Sequence, residues 1–191
     1  TGVGGLLRDA TLIRQLRAER EHVLLVDCGD LYQGGPESLL SEGKVMTRAL
    51  DALGYDAWIL GNHEFDWGLD KLVARQAEAR TPVLAANIIT REGRTQPLTR
   101  VQPFLIREFE GVRVAVVGLI TPGVPSWSLP DLLGDLEFEG SVAALRRIMP
   151  AVRAAQPDII LLGTHQGWRP GGDDHANQVN AIARQFPEIT A

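Results

Sequence analysis

Three short apolar runs, each followed by glycine and polar residues, constrain the fold of this chain more than any other feature. The runs lie in predicted strands at residues 22–26, 56–60 and 158–162, the last two of which begin with Asp, and the polar residues after them include Asp30, Asn62 and His165. Continuous apolar runs of this length are typical of strands that are buried on both faces. If such strands are parallel, their carboxyl ends meet at one edge of a sheet, where α/β proteins bind ligands. The sequence therefore predicts that the three side chains approach one another.

Amphipathic segments alternate with these runs. Apolar residues recur at helical spacing in residues 6–16, 39–53, 69–77, 142–152 and 176–186. Gly43 is expected to divide the second segment into two helices and Gly54 to end it, while Pro150 is expected to bend the fourth helix. Strands that alternate with helices are typical of an α/β layered fold.

The remaining segments complete the predicted secondary structure. Residues 82–86 predict a further strand, and residues 104–108 and 112–120 predict a hairpin. Residues 87–101 are polar and are expected to form a surface excursion. Residues 121–140 are rich in proline and glycine and are expected to form a long loop. No segment is typical of a linker, so residues 1–191 are predicted to form a single domain.

The composition excludes several classes of protein. With 191 residues, 45% of them hydrophobic, the chain is long enough to bury a core and is not typical of disorder. Its net charge of -5, without a basic patch, argues against nucleic acid as a partner. No apolar run reaches the roughly 18 residues of a membrane-spanning helix. Cys28 is the only cysteine, so an internal disulfide is impossible.

The side chains at the three strand ends offer a ligand set for divalent metal ions. Asp30 supplies a carboxylate, Asn62 an amide oxygen and His165 an imidazole, which suits Zn²⁺, Mn²⁺, Fe or Co better than Ca²⁺ alone. A carboxylate can bridge two ions, and two ions about 3.5–4 Å apart clamp the attacking and leaving oxygens of a phosphoryl group. The set therefore predicts metal-assisted hydrolysis. Singly, each residue also has an ordinary role, as a polar strand end, a turn residue and a core histidine.

A histidine and a second carboxylate follow Asn62 directly. His63 is its neighbour, so the imidazole is expected to leave the backbone in a different direction and to face the substrate. Asp66 is close enough to hold that ring in one tautomer and to stabilise its protonated form. His63 is therefore a candidate for protonating a leaving oxygen. Asp66 also has an ordinary interpretation as the cap of the helix that begins near Gly68, and the two roles are compatible.

Two further groups of residues resemble sites but favour ordinary roles. Asp173 and Asp174 precede a helix, where Asp is a common N-cap, so a metal site that includes His175 is not favoured. The segment Gly2-Val3-Gly4-Gly5 follows no strand and has no P-loop lysine, so it is not a phosphate cradle.

Single residues elsewhere favour structural roles. His22 opens a predicted strand and is expected to be structural, and Cys28 is expected to pack as a small apolar residue. Trp127 and Trp168 lie in predicted loops, where they either line a pocket or cover the edge of the core.

Three motifs, in this order, resemble those of the calcineurin-like metallophosphoesterases. They are Gly29-Asp30-Leu31-Tyr32-Gln33-Gly34, Gly61-Asn62-His63-Glu64-Phe65-Asp66-Trp67-Gly68 and Thr164-His165-Gln166-Gly167. The Gly-Asn-His-Glu core is specific for the superfamily. The Phe-Asp-Trp-Gly extension favours the bacterial 5'-nucleotidase and UDP-sugar hydrolase branch over the cyclic-phosphodiesterase branch. The likeness runs over nearly the whole chain.

This resemblance implies a β-sandwich flanked by helices and a centre of two divalent ions, drawn from Zn, Mn, Mg, Co and Fe. It assigns Asp30 as the bridging carboxylate, Asn62 and His165 as ligands of one ion, and His63 with Asp66 as the catalytic pair. The implied reaction is 5'-nucleotidase hydrolysis, in which a metal-bound hydroxide attacks phosphorus and releases a nucleoside and phosphate. Nucleotide-sugar diphosphatase, 2',3'-cyclic-nucleotide phosphodiesterase and sulfur-oxidation hydrolase activities stay open, as does a non-catalytic module that kept the fold.

The resemblance also implies parts that residues 1–191 do not contain. The family's Asp-x-His motif is expected before Thr1, its Gly-His-x-His motif after Ala191, and its nucleotide-binding domain further on. The isolated chain is therefore expected to be inactive. Sheet edges left open by absent outer strands are expected to allow self-association. The branch implies a periplasmic or extracellular location.

Overall fold

The structure is a computed structural model and describes residues 5–191, so most of the glycine-rich start, residues 1–4, lies outside the described residues. The first half contains α1 (Leu6–Glu19), β1 (Val26–Asp27), α2 (Pro36–Ser41), α3 (Lys44–Leu53), β2 (Ala57–Ile59), a 3₁₀ helix (Asn62–Phe65), α4 (Leu69–Glu78), β3 (Val83–Leu84) and β4 (Ile88–Thr90). The second half contains β5 (Val101–Gln102), β6 (Phe104–Phe109), β7 (Val112–Ile120), α5 (Val124–Trp127), α6 (Pro130–Leu133), β8 (Leu136–Phe138), α7 (Ser141–Ala154), β9 (Ile159–His165) and α8 (Val179–Gln185).

Two sheets form a sandwich that helices cover on both sides, so the predicted fold class is confirmed. The first sheet has the order β1-β2-β3-β5, and all its strands are parallel. The second sheet has the order β6-β7-β9, in which β6 and β7 are antiparallel and β7 and β9 are parallel. A small antiparallel pair, β4 and β8, lies beside them.

The alternation of side chains along β2 explains why its apolar run is continuous. Ala57 and Ile59 pack between the two sheets, in a cluster that includes Val114 and Val116 of β7. Trp58 and Leu60 point to the opposite face, where they pack in the cluster that includes α3 and α4. Both faces of the strand are therefore buried, as in the interior strands of layered α/β proteins.

Close contact between the two sheets depends on glycine. A β-carbon placed on Gly118 of β7 would lie 2.9 Å from the carbonyl carbon and oxygen of Leu84 in β3. A β-carbon on Gly163 of β9 would collide with the Ile59 side chain. These two positions let the second sheet approach the first without displacing its strands.

Several predicted boundaries are confirmed. Gly43 separates α2 from α3, and Gly54 ends α3 in the left-handed conformation with φ 66°. The predicted hairpin is formed by β6 and β7. The last helix is shorter than predicted and begins at Val179. Within residues 5–191, no helix combines the length and the apolar character that crossing a membrane requires.

The first predicted strand is displaced toward its carboxyl end. Only Val26 of the apolar run 22–26 lies in β1. The N–H of Leu25 donates to the Asp56 side chain at 2.9 Å, and the N–H of Asp56 donates to the Leu25 carbonyl at 2.8 Å. Because a side chain occupies the position of a neighbouring strand there, regular pairing starts one residue later.

The predictions for the two irregular segments are confirmed only in part. Residues 91–95 are exposed and irregular, as expected of a surface excursion, but residues 88–90 form β4, and Asn87 and Leu98 are buried. Residues 121–140 are not a long loop, because they contain α5, α6 and β8. The two segments stabilise each other through the β4 and β8 pair. Helix α7 continues through Pro150, and Met149 and Val152 on either side of the proline are buried. The bend at Pro150 stays a prediction.

Candidate metal centre

The three predicted ligands follow strands of both sheets. Asp30 and Asn62 follow β1 and β2, which are neighbours in the first sheet, whereas His165 ends β9 of the second sheet. The expectation that all three lie at the edge of one sheet is therefore wrong. Their strand ends meet because the two sheets pack face to face and their parallel strands end on the same side.

Asp30 and His165 are in direct contact across the sandwich. The distance from Asp30 Oδ2 to His165 Nε2 is 3.1 Å, and the other ring nitrogen, Nδ1, lies 2.7 Å from the Cys28 carbonyl oxygen. The hydrogen bond with the Asp30 carboxylate raises the pKa of His165. Burial opposes ionisation of Asp30, but its bonds with His165 and with the His63 N–H outweigh burial and lower its pKa. The two pKa shifts favour the charged form of each side chain.

The same contact tests whether a metal ion fits these residues. Donation from Nδ1 to the Cys28 carbonyl leaves the Nε2 lone pair directed at the Asp30 carboxylate. Two electron pairs facing each other at 3.1 Å require a positive charge, supplied either by a proton on Nε2 or by a cation. A ligating histidine whose second nitrogen donates to a backbone carbonyl is the usual arrangement at metal sites. The residues therefore fit a divalent ion.

Asn62 shares a cavity with His165. The cavity has a volume of about 430 Å³, and its walls also include Thr121, Trp127 and Asn177. Asn62 begins the 3₁₀ helix, and no hydrogen bond of its side chain is formed with any residue from 5 to 191. An amide oxygen free of protein partners beside an imidazole is available to an ion or a substrate.

The loops that carry Asp30 and Asn62 are pressed together. Asp30 has φ 59°, a left-handed conformation that is uncommon for a non-glycine residue. A β-carbon on Gly29 would lie 2.6 Å from the Gly61 nitrogen and 2.8 Å from His165 Nδ1. One on Gly61 would collide with the Asp30 nitrogen and Oδ1. The glycines that precede the two ligands are therefore required for the close approach of the loops.

Glu64, which is not among the predicted site residues, lies between these loops. The side chain is 1% exposed, and its Oε2 accepts hydrogen bonds from the N–H groups of Gly61 at 2.5 Å and Asp30 at 3.0 Å. Burial raises the pKa of Glu64 to about 7. An acidic residue three positions after a helix N-cap is the spacing of a capping box, and this was the available signal.

His63 is positioned through its backbone and both ring nitrogens. Its N–H donates to Asp30 Oδ1 at 3.0 Å, and its Nδ1 lies 2.8 Å from Asp66 Oδ2. Its Nε2 lies 2.9 Å from the Gln33 side-chain nitrogen. These contacts favour the tautomer with the proton on Nδ1, in which Nε2 accepts from the Gln33 amide. Gln33 is a second residue that the sequence analysis did not select, since its contact depends on the loop geometry.

Asp173 and Asp174 have structural roles, although the N-cap of α8 is Gln178 and not either aspartate. Asp173 accepts the N–H groups of Asn180 at 3.0 Å and Ala181 at 2.6 Å, in the first turn of α8. Asp174 Oδ1 accepts the N–H groups of Ala176 and Asn177 at 2.9 and 2.8 Å. Both carboxylates are therefore occupied by backbone donors.

The remaining candidates divide between the cavity and the surface. Trp127 lines the cavity and is 58% exposed, whereas Trp168 donates to Asn180 at 3.1 Å and is 65% exposed. Cys28 also lines the cavity and is exposed, so the expectation that it packs as an apolar residue is wrong. His22 lies at the surface, 3.4 Å from Glu110.

The fold, the motifs and this geometry define the class of protein. The sequence profile of the family described as "Calcineurin-like phosphoesterase" matches residues 2–181. The chain belongs to the calcineurin-like phosphoesterase family, whose members are generally dinuclear and metal-dependent.

The relatives with similar sequences include proteins named 5'-nucleotidase. The chain is 32% identical to a 5'-nucleotidase of Vibrio cholerae over 97% of its own length and 34% of that protein. It is 31% identical to protein UshA of Yersinia enterocolitica, again over 97% of the chain and 34% of the relative. The chain therefore spans about a third of the length of these two relatives.

A solved structure supports the fold over the whole chain. The calcineurin-like phosphoesterase YfkN of Bacillus subtilis has a TM-score of 0.85 and 30% identity, and the match covers 100% of this chain and 63% of that chain. The same protein is named a trifunctional nucleotide phosphoesterase. The branch that the motifs predict is thus confirmed by relatives that carry the corresponding names.

Proposed function

We propose that this chain forms the catalytic domain of a metal-dependent 5'-nucleotidase, which converts a nucleoside monophosphate into a nucleoside and phosphate. The observation that carries the proposal is the contact of Asp30 with His165, together with the His63 N–H bound to the same carboxylate. A single carboxylate thus connects the candidate ligand on the second sheet to the candidate acid on the first. The names of the relatives support the substrate class.

Asp30, Asn62 and His165 would hold the metal, with Asp30 placed to share ions and the other two serving one ion. Bound divalent ions supply Lewis acidity, which polarises the phosphoryl group and activates water. Oxygen ligands and an imidazole are compatible with Zn, Mn, Mg, Co or Fe, and the ligand types do not select among them. In the net reaction, a bond forms between water oxygen and phosphorus, and the ester bond to the leaving oxygen breaks.

His63 would supply the proton that the leaving oxygen takes. Asp66 holds Nδ1–H at 2.8 Å and stabilises the protonated ring, so that Nε2–H is the group that donates. The Gln33 amide lies at Nε2. If this amide rotates by about 180°, its oxygen can accept a hydrogen bond from the protonated ring.

The experiment is a substrate panel on the protein that carries this chain, preceded by elemental analysis. With Mn²⁺ or Zn²⁺, we expect turnover of a nucleoside 5'-monophosphate and a loss of at least about 100-fold in the His63→Ala variant. Asp70→Asn, a substitution of an exposed carboxylate on α4, is the matched control and is expected to leave turnover unchanged. Absence of phosphoester turnover with every metal would leave only the non-catalytic module.

A second candidate activity is hydrolysis of a cyclic or sugar-linked nucleotide. One relative is named a trifunctional nucleotide phosphoesterase, which favours testing more than one nucleotide substrate. A UDP-sugar and a 2',3'-cyclic nucleotide therefore belong in the same panel. The order of kcat/KM among the three substrates decides between the activities.

We also propose that residues 1–191 belong to a larger protein and that this protein is periplasmic or extracellular. Further metal motifs and a nucleotide-binding domain would lie outside residues 1–191, in line with the length of the relatives. Residues 1–191 alone would then hydrolyse nucleotides far more slowly than the complete protein, and their sheet edges would allow self-association. A turnover assay and a sedimentation measurement on residues 1–191 test the two statements, and ordinary enzyme rates from this chain would contradict the first.

A further inference from the structure

We propose that Glu64 is a positioning residue, whose buried carboxylate fixes the two ligand loops in the register that metal binding requires. The inference rests on the proposed function and deepens it, because it assigns a role to a side chain that touches neither substrate nor ion. Only Oε2 is used in these hydrogen bonds, and it serves both loops.

The contacts of Oε2 join segments that are distant in sequence. The bond to the Gly61 N–H closes the turn before Asn62, and the bond to the Asp30 N–H reaches a residue 34 positions earlier. Asp30 in turn accepts the N–H of His63 through Oδ1. Glu64, Asp30 and His63 thus form a closed set of bonds between the end of β1 and the end of β2.

The conformation of Asp30 requires such support. Its φ of 59° is a left-handed conformation that residues with a β-carbon adopt less readily than glycine, so contacts with the loop help to hold it. A rotation at this residue would move the carboxylate that contacts His165 and His63. The Glu64 bond to the Asp30 N–H acts at this residue itself.

The cost of burying this acid argues against a role in stability alone. The side chain is 1% exposed, and no residue between 5 and 191 contributes a hydrogen bond to Oε1. A buried carboxyl group with an unsatisfied oxygen destabilises a fold. Its presence here therefore suggests a role other than stability. A glutamine at this position would accept the same two N–H groups without a buried charge.

Three substitutions separate the position of the carboxylate from its charge. Glu64→Gln keeps an oxygen that can accept both N–H groups but removes the charge. Glu64→Asp keeps the charge but is one methylene too short to reach both donors. Glu64→Ala removes both. If position matters, metal affinity falls in the order parent, Gln variant, then Asp and Ala variants together.

The control is Asp51, a carboxylate that also joins two backbone segments. It accepts the N–H groups of Arg80 and Thr81, which precede β3. This contact lies at the amino ends of the parallel strands, away from the candidate metal centre at their carboxyl ends. Asp51→Ala is expected to lower the free energy of unfolding in a comparable way while leaving metal affinity unchanged. It therefore reports what general loosening of the fold does to the site.

The measurement is titration of each folded variant with Co²⁺, followed by calorimetry and by the visible absorption of the bound ion. Loss of a residue that orients ligands typically weakens metal binding about 10- to 100-fold, which is the change expected for Glu64→Ala and Glu64→Asp. Metal affinity of Glu64→Ala within about twofold of the parent, or an equal loss in Asp51→Ala, would overturn the inference. So would an Asp variant with parental affinity, because charge rather than position would then matter.

Amide hydrogen exchange without metal provides an independent readout. The Asp30 and Gly61 amides are expected to exchange about tenfold faster or more in the Ala and Asp variants, because each loses a bond to a charged acceptor. The Gln variant is expected to retain most of the protection. If the complete protein that carries this chain binds no Co²⁺, the proposed function is contradicted, and the exchange data then decide this inference. Unchanged protection in Glu64→Ala rejects it.

Discussion

At the scale of single residues, His63 is held by three contacts, one through its backbone and two through its ring. Its N–H, Nδ1 and Nε2 meet Asp30, Asp66 and Gln33, respectively. The backbone contact fixes the residue beside the candidate bridging carboxylate. The ring contacts favour one tautomer and make Nε2 the nitrogen that would exchange a proton in the proposed reaction.

We predict that His63→Ala lowers kcat for a nucleoside 5'-monophosphate by about 100- to 10,000-fold, the range typical of general acids. Asp66→Asn is expected to cause a smaller fall, because the ring stays in place but loses the charge that stabilises its protonated form. Metal content from elemental analysis should be unchanged in both variants. Loss of metal in His63→Ala would show that the residue acts as a ligand and not as an acid.

A second prediction concerns the wall of the cavity. The Trp127 ring packs over Gly123, since a β-carbon there would lie 2.8 Å from its Cη2, and it remains 58% exposed. Trp127→Ala should raise KM for nucleotides by about 2- to 10-fold, the effect of losing one aromatic contact, with kcat little changed. Trp168→Ala, which removes an equally exposed ring outside the cavity lining, should change neither parameter. Equal effects of both substitutions would contradict this assignment.

The sequence indicates the candidate ligands because each follows an apolar run, and this signal is local. Asp30, Asn62 and His165 could therefore be selected without coordinates. Glu64 could not be understood in this way, because its burial results from two loops that meet 34 residues apart in sequence. The contact between Gln33 and His63 is hidden for the same reason.

At the scale of elements, the helices were more predictable than the short strands. Residues buried at helical spacing mark α3, α4 and α7 over ten or more residues. In contrast, β4 and β8 contain three residues each and are joined only through pairing of distant segments. A three-residue strand is too short to show a periodic pattern, so this pair was predicted as irregular chain.

The contact of Asp51 in α3 with the residues before β3 predicts how the stability of the fold depends on pH. Asp51 accepts two N–H groups and the Thr81 hydroxyl, and its side chain is 12% exposed. Burial opposes its ionisation, but the hydrogen bonds from Thr81 and Arg80 outweigh burial and lower its pKa. The ionised group therefore stabilises the fold above its unfolded pKa of about 3.9, and this stability is lost as pH falls through the folded value.

Asp51→Ala should lower the free energy of unfolding at pH 7 by roughly 2–3 kcal/mol, because backbone donors lose a charged acceptor. Asp51→Asn keeps one acceptor, so its loss should be smaller, and its stability should fall less than that of the parent between about pH 5 and 2. Denaturant titrations across this range provide the measurement. The control, Asp135→Asn, alters an exposed carboxylate that pairs with Arg91 and Arg94 and should cost less than about 1 kcal/mol. A parallel pH dependence in parent and Asp51→Asn would contradict the assignment.

At the scale of the whole molecule, the assignment of strands to sheets is what the sequence could not reveal. The run that became β9 resembles those of β1 and β2, yet it pairs with β7 in the other sheet. Choice of partner depends on contacts between distant segments, such as the packing of Gly163 against Ile59. The candidate centre is therefore a junction between two sheets and not an edge of one.

This junction predicts that metal binding stabilises the whole sandwich. Asp30 belongs to the loop after β1 and His165 to β9, so an ion held by both connects the two layers. An ion that binds only the folded chain should raise the free energy of unfolding by about 2.7 kcal/mol at a concentration 100 times its Kd. Thermal unfolding of the chain with Mn²⁺ or Zn²⁺, before and after addition of a chelator, measures the effect. Asp30→Asn should abolish the rise in Tm and Asp135→Asn should preserve it, whereas an equal rise in both variants would place the ion elsewhere.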